Sequence, residues 1–545
     1  MKVALTVSKY TGKFFLPFVQ IWHGKQKFVP SIDDSVLLMS VMELAENIRN
    51  RKITSEYAVK IYIERIRAVD PILNAIMDER FCEAVEDAKR ADKLCHEMKV
   101  DELKVKFPLL GVPFTVKEMI GLKGLSQTVG VRSRKGQKAT KTAHAIQNLC
   151  NAGAIPLCVT NVPEWCLSWV LITTILFKET QNVITGRTLN PYNTIYSPGG
   201  SSGGEAALLG SGASLFGIGS DFIGSCRLPA MFCGVFGHRP TTPMVSIDGP
   251  ILLFTDEISK DILTLGPMAR YARDLPILLE VMCGTENTKF LKLHEKINIK
   301  DLNVFFCMKF SKTCENLPVD TEILHALNVV EAEFVKNGAK VQVANIAFDG
   351  LFEILMSRIY EIDKANMIEK SEISNKKGGC FKEYLKWLMG QSDHTIFAII
   401  SQFFMRNERF FPSHTKNSYE KKLEVIRNEV MDILGSNSVL ILPTFPTKAY
   451  RHFGSTACIS GLQFVLLASV LNLPATTIPI GLSKKGLPFG IQFLNRLAAS
   501  LNLSSPSLAL GTFSGLGPAK NTVPNIVISG SADLSTFNSV KSAKN

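Results

Sequence analysis

Apolar positions along the first hundred residues recur at helical spacing. Ser40 with Glu43 forms a capping box ahead of Leu44 and Ile48. Thr54 is placed to cap a second helix with an apolar face of Ala58, Ile61, Tyr62, Ile66 and Val69, ending before Pro71. A charged run over Cys82–Lys99 predicts a third, solvent-facing helix. The pattern then changes. Residues 108–117 form a short apolar run with β-branched residues and turn formers, the signature of a buried strand arriving at Lys117. A helix over 142–152 and a strand over 154–159 follow, which is the alternation of an α/β sheet. Helix–strand units continue through Val343, and long helical stretches run from Phe348 to about Leu434. A strand at 439–442 then precedes a core helix and buried strand within Ile459–Leu482. That last stretch is long enough to span a membrane, but Gln463, Asn472, Pro474 and Pro479 interrupt it.

No linker of more than a few residues divides this pattern, so one large domain is expected over 36–495. It follows a leader over 1–35 without a clear membrane span and precedes a low-complexity tail over 496–545. Residues 167–184 read as an atypical apolar insertion. Composition narrows the class. The 545 residues are 46% hydrophobic and 20% charged, which excludes global disorder. The 12 cysteines are scattered without paired spacing, which argues against a disulfide framework or zinc module. The net charge of +12 suits an anionic membrane surface or nucleic acid without requiring either. The densest basic run, Arg132, Arg134, Lys135, Lys138 and Lys141, has no interleaved aromatics and reads as a solvated face.

Two segments carry candidate chemistry. The run from Ser197 to Glu205, Ser-Pro-Gly-Gly-Ser-Ser-Gly-Gly-Glu, leads into an Ala/Leu-rich helix. A phosphate cradle there would need Gly-Lys-Ser/Thr at its end, and the carboxylate of Glu205 stands instead. A serine on glycine-flanked, unusual backbone and a plain flexible loop both remain open. The second segment is Gly219-Ser-Asp-Phe-Ile-Gly-Ser225-Cys-Arg-Leu-Pro-Ala230, with Ser225 24 positions after Ser201. A serine at such a turn suits a nucleophile with preceding N–H groups as its oxyanion hole. Arg227 rules out a Gly-x-Ser-x-Gly elbow, and the nine histidines are dispersed, so a base other than histidine is needed.

Gly111-Val-Pro-Phe-Thr-Val-Lys117-Glu118, the Gly-Gly-Ser-Ser-Gly-Gly-Glu run and Ser220-Asp-x-x-Gly-Ser225-x-Arg-x-Pro229 together resemble the amidase signature family. Flanking matches at Thr160–Glu164, Gly186–Tyr192, Gly237–Thr241, Gly266–Arg270 and Leu473–Thr477 resemble its fatty-acid amide hydrolase branch, over about residues 36–492. The resemblance implies a large mixed central sheet covered by helices on both faces, and a Ser-Ser-Lys triad. Ser225 would be the nucleophile, Ser201 the bridging serine after a cis peptide from Gly200, and Lys117 the base. Backbone N–H groups of Phe222, Ile223, Gly224 and Ser225 would form the oxyanion hole, and Gly200, Ser202, Asp221 and Arg227 would support these groups. Ile223 stands where the family usually has a second glycine.

No metal or organic cofactor is implied, and no nucleic acid. The implied substrate is a lipid amide, and the implied location is intracellular, peripheral on membranes or cytoplasmic if the membrane face is lost. A homodimer is admitted. Phe352, Leu355, Phe403, Phe404, Phe410, Phe411 and residues 387–389 are expected near an acyl tunnel and membrane face. The alternatives are a catalytically impaired member that binds lipid amides, or a glutaminase subunit of a tRNA-dependent amidotransferase.

Overall fold

Ser40 caps the helix Val41–Arg49 by accepting from the Glu43 N–H while the Glu43 side chain accepts from its own, the reciprocal box the spacing predicts. Thr54 likewise caps the helix Ser55–Leu73 by accepting from the Tyr57 N–H. This helix does not stop before Pro71. It runs through the proline and ends at Asn74, which takes the left-handed conformation. A proline in a last turn removes a single backbone bond, and the Asn74 side chain is held by the carbonyls of Thr185 and Arg187. The charged helix Phe81–Glu97 is also not solvated all round. Phe81, Ala84, Ala88, Ala91 and Cys95 form a buried stripe that packs on Ser55–Leu73.

The structure, a computed structural model, describes residues 26–166, 179–250, 257–291, 297–308, 317–344, 350–360, 378–405, 416–435, 437–452 and 454–495, with isolated positions 293, 310, 346 and 373. Most of the leader, most of the insertion (167–178) and the tail over 496–545 lie outside the described residues. Residues 26–35 of the leader pack on the domain: Val29 is buried, and Arg65 donates to the carbonyls of Pro30 and Ser31.

The strands, in chain order, are β1 (Ile76–Glu79), β2 (Pro113–Lys117), β3 (Ile155–Thr160), β4 (Gln181–Asn182), β5 (Gly186–Arg187), β6 (Phe216–Asp221), β7 (Phe236–Arg239), β8 (Thr264–Ala269), β9 (Asn303–Phe306), β10 (Lys340–Val343), β11 (Ser438–Pro443), β12 (Ala475–Leu482) and β13 (Pro488–Leu494). Eleven of them form one sheet in the order β1-β3-β2-β6-β8-β7-β12-β13-β11-β9-β10, and β4 and β5 pair separately. The sheet is mixed. β3, β2 and β6 are mutually parallel, as are β11, β9 and β10, while the strands between run antiparallel. Every residue of β2, β3, β6, β7, β8, β11 and β13 is buried, which explains why β2, β3 and β11 read as continuous apolar runs, not alternating ones.

Residues 459–482 resolve as the fully buried helix Gln463–Val470 followed by β12. Among the described residues no helix is long and apolar enough to cross a membrane. Three of the five residues of the basic run are matched by acids, Arg132 with Asp393, Lys138 with Asp78 and Lys141 with Asp248, while Arg134 lies over the Trp165 ring. That is the behaviour of a solvated face.

What the fold does for a site is bring ends together. β2 finishes at Lys117, its parallel neighbours finish at Thr160 and Asp221, and the helix Gly203–Gly210 packs on β2 and β6. Side chains from segments a hundred residues apart therefore meet beyond the carboxyl ends of parallel strands, where α/β sheets place their ligand sites.

Candidate active site

Lys117, the last residue of β2, is completely buried. Its Nζ is hydrogen-bonded to Ser201 Oγ at 2.6 Å and to Ser220 Oγ at 2.8 Å. Burial disfavours the ammonium and pulls the Lys117 pKa below its ordinary value, against an opposing pull from the Asp221 carboxylate. Ser220 Oγ in turn donates to Met119 Sδ (3.1 Å), so it can only accept from the lysine. Ser220 was not among the residues expected at the site. Its sequence signal is its place at the head of the Ser220-Asp-x-x-Gly-Ser225 motif, which assigns it no role.

The peptide between Gly200 and Ser201 is cis. Ser202 follows, and its N–H donates to the carbonyl of Ser225 (3.2 Å), which joins the two serine segments backbone to backbone. Ser225 is 2% exposed and its Oγ has no hydrogen-bond partner among the described residues. The link from Lys117 to Ser201 is therefore made, and that from Ser201 to Ser225 is not.

The turn carrying Ser225 is organised by Asp221. Its carboxylate accepts from the N–H groups of Gly224 (2.8 Å) and Cys226 (3.2 Å) and from the Arg227 guanidinium (3.0 and 3.1 Å). The carbonyl of Asp221 accepts from Arg239 (2.8 Å). Burial works to raise the Asp221 pKa, but the two guanidiniums and the N–H donors win and hold the carboxyl well below the usual range. Arg227 also reaches Gln492 Oε1, the Val465 carbonyl and Ser469 Oγ, each at 2.9 Å. Arg239 and Gln492 add to the expected supports Asp221 and Arg227; Arg239 lies in the Gly237–Thr241 match, but that match does not assign it to the site.

Two findings bear on the expected oxyanion hole. The Gly224 N–H already donates to Asp221, so of the four expected donors it is committed elsewhere. Ile223 brings no backbone strain, because the left-handed residue of the turn is Gly224 (φ 89°) and not position 223. A Cβ at 224 would also lie 2.6 Å from Val465, whereas the Ile223 side chain is buried within the apolar core.

Beneath Lys117 lies Glu205, wholly buried, with Thr115 Oγ1 and Thr160 Oγ1 at 2.6 and 2.9 Å from its two oxygens. Burial raises its pKa to about 8. Among the described residues no histidine bonds Ser201 or Ser225. His238 is buried with its pKa pulled down to about 3 and bonds Thr476, His394 pairs with Glu164, and His452 pairs with Glu179.

Phe352 and Leu355 are buried on a helix, Leu351–Tyr360, that packs against Gln463–Val470. Trp387, Leu388, Met389 and Phe403 are exposed. Phe410 and Phe411, and the side chain of Phe404, fall outside the described residues. No group of acidic, histidine and cysteine side chains among the described residues is arranged to hold a metal ion.

The family model for amidases matches residues 57–497. This chain belongs to the amidase family. It is 34% identical to fatty-acid amide hydrolase 2-A of Danio rerio over 94% of this chain and 95% of that one, and 34% identical to fatty-acid amide hydrolase 2 of Homo sapiens over 85% and 86%. A solved fatty acid amide hydrolase structure superposes with a TM-score of 0.66 at 20% identity, covering 89% of this amidase and 86% of that chain. The mixed sheet and its helices are thus the amidase fold, and the enzyme class is that of carbon–nitrogen bond hydrolases.

Proposed function

We propose that this amidase hydrolyses fatty-acid amides or N-acylethanolamines through an acyl-enzyme on Ser225, with Ser201 as proton relay and Lys117 as base. The observation that carries the reading is the hydrogen bond between a wholly buried lysine and Ser201. A neutral Lys117 has a lone pair to accept the Ser201 proton. Ser201 then takes the proton of Ser225 as Ser225 Oγ attacks the acyl carbon. The acyl oxygen, negative in the tetrahedral intermediate, faces N–H groups of Phe222, Ile223 and Ser225. Collapse breaks the C–N bond, and the relay run backwards returns the proton to the departing amine. Water, deprotonated by the same relay, then cleaves the acyl ester. A rotation about the Ser225 Cα–Cβ bond as substrate binds supplies the missing Ser201–Ser225 hydrogen bond, since such contacts tighten in the Michaelis complex.

Labelling with a fluorophosphonate probe tests this. Stoichiometric labelling is expected, mapped to the peptide carrying Ser225, with a rate that rises with pH along a limb below the ordinary lysine value of 10.5. The sign follows from the lowered pKa, which makes the neutral base available at lower pH. Lys117→Ala is expected to slow labelling by roughly 10²–10⁴-fold. Labelling elsewhere, or a rate indifferent to Lys117, would overturn the triad. Labelling without oleamide turnover would leave the lipid-binding alternative, and ammonia release from glutamine with a co-purifying partner the glutaminase one.

The lipid assignment draws on the relatives and on an exposed apolar surface. The helices Gly379–Leu388 and Ile396–Met405 lie against each other, and Phe381, Leu388 and Met389 are 64%, 57% and 62% exposed. Contact of this surface with a membrane would remove apolar area from water at about 1.5–3 kcal/mol per side chain fully buried. Co-sedimentation with phosphatidylcholine vesicles is expected, and Phe381→Asp with Met389→Asp should lower the bound fraction at least about tenfold. Equal binding of the double variant would remove this surface from consideration.

A further inference from the structure

Four oxygens lie in a row behind Lys117. Glu205 Oε2 is 2.6 Å from Thr115 Oγ1, Thr115 Oγ1 is 2.9 Å from Ser214 Oγ, and Ser214 Oγ is 2.8 Å from the Phe216 carbonyl oxygen. Each of these three gaps is a hydrogen-bond distance, and each needs one proton. The carbonyl at the far end has none. Ser214 must therefore donate to it, since two lone pairs at that distance repel. Thr115, with one hydroxyl proton, must then donate to Ser214. Both hydroxyl protons are now assigned, and the shortest gap still lacks one.

We infer that Glu205 supplies that proton: it is held as a neutral carboxylic acid, donating from Oε2 to Thr115 while Oε1 accepts from Thr160, and it acts as a positioning residue that keeps Lys117 an uncharged base. The inference rests on the reading of Lys117 as base.

Three further observations agree with the proton count. An ionised Glu205 would have a single donor left, the Thr160 hydroxyl, in a site with no exposed surface, and a buried carboxylate so poorly bonded is strongly disfavoured. No salt bridge joins Glu205 to Lys117 among the described residues, and the lysine's pull toward the carboxylate is outweighed by burial, which raises the Glu205 pKa. The backbone also leaves no room for rearrangement. A Cβ at Gly217 would lie 1.9 Å from Glu205 Oε2, so the carboxyl is pressed against the bare backbone of β6. Burial raises the Glu205 pKa to about 8, in the direction the geometry requires.

The purpose follows from charge. An anion at 205 would favour the lysine ammonium and raise the Lys117 pKa by roughly 1–3 units. A neutral acid fills the same space and bonds the same threonines without that penalty to the base. Lys117 and Thr115 lie two residues apart on β2, so the acid that bonds Thr115 also fixes the strand end from which the lysine extends.

The test is an infrared difference spectrum of wild type against Glu205→Gln, together with the pH profile of fluorophosphonate labelling. Glutamine reproduces the neutral acid, with its amide donating to Thr115 and its oxygen accepting from Thr160. The expected spectrum loses the carbonyl stretch of a protonated carboxylic acid. The expected labelling rate stays within about threefold of wild type, with the acid limb unmoved. Loss of a carboxylate stretch, or an acid limb displaced downward by about one unit or more, would overturn the inference. If Glu205→Gln does not fold, Thr115→Val poses the same question. Its difference spectrum against wild type shows an acid carbonyl shifted by loss of the Thr115 bond if Glu205 is neutral, and only carboxylate bands if it is not. The infrared result reads Glu205 directly and stands whatever Lys117 does. Failure of the base assignment shows separately, as labelling indifferent to Lys117→Ala.

Discussion

Alanine at position 225 is expected to abolish covalent labelling and to lower acyl-amide turnover by about 10⁶-fold, the scale on which a serine hydrolase loses its nucleophile. The structure makes this an unusually clean substitution. Ser225 Oγ is buried and bonds nothing among the described residues, so deleting it breaks no hydrogen bond and removes a desolvated hydroxyl. The melting temperature of Ser225→Ala should accordingly equal or slightly exceed that of wild type. The backbone contact from the Ser202 N–H to the Ser225 carbonyl also survives the change. A folded variant with turnover reduced less than about a hundredfold would exclude Ser225 as the nucleophile.

Asp221→Asn is expected to destabilise the fold by about 3–5 kcal/mol, read as the shift of a urea unfolding midpoint. The carboxylate neutralises two completely buried guanidiniums, at 3.0 Å from Arg227 and 3.6 Å from Arg239. An amide of the same shape keeps an acceptor for the Gly224 N–H, but it turns a second group of donors toward Arg227 and the Cys226 N–H. Two like charges then remain buried without an anion. Against a total stability of roughly 5–15 kcal/mol, this is a large fraction. Labelling at Ser225 should fall with it, because the turn that presents the serine is strung on Asp221. A midpoint within about 1 kcal/mol of wild type, with labelling intact, would show that the turn holds its shape without the ion pair.

Features written locally were legible in the sequence. The caps at Ser40 and Thr54 involve partners three residues away, so spacing alone reveals them. The buried strands β2, β3, β11 and β12 announced themselves as apolar runs, whereas β6 and β7, which carry Ser220, Asp221, His238 and Arg239, did not. The helix through Pro71 was not legible, because whether a late proline ends a helix depends on what holds the following residue, here carbonyls more than a hundred positions on. The stripe of alanines in Phe81–Glu97 was outweighed by its charges. At the site, residue types at Lys117, Ser201 and Ser225 could be matched only through the family resemblance. Ser220 is 103 positions from Lys117 and meets it through the parallel pairing of β2 with β6. Glu205 was visible as a carboxylate in the glycine run, yet nothing in that run indicates that two threonines from β2 and β3 close over it. Register between strands decides such meetings, and register is set by the whole sheet.

The bond between Arg227 and Gln492 spans 265 positions and links the turn after Ser225 to β13. On the ribosome, β6 and its turn emerge first. The strand that receives Arg227 is made only after most of the rest of the chain, a delay of tens of seconds at roughly 5–20 residues per second. Until then the guanidinium lacks one of its permanent partners, and the turn carrying Ser225 is held without that contact. With Ser225 as the nucleophile proposed above, catalytic competence is expected to be a late event in biosynthesis, gained when the closing hairpin of the sheet zips into place.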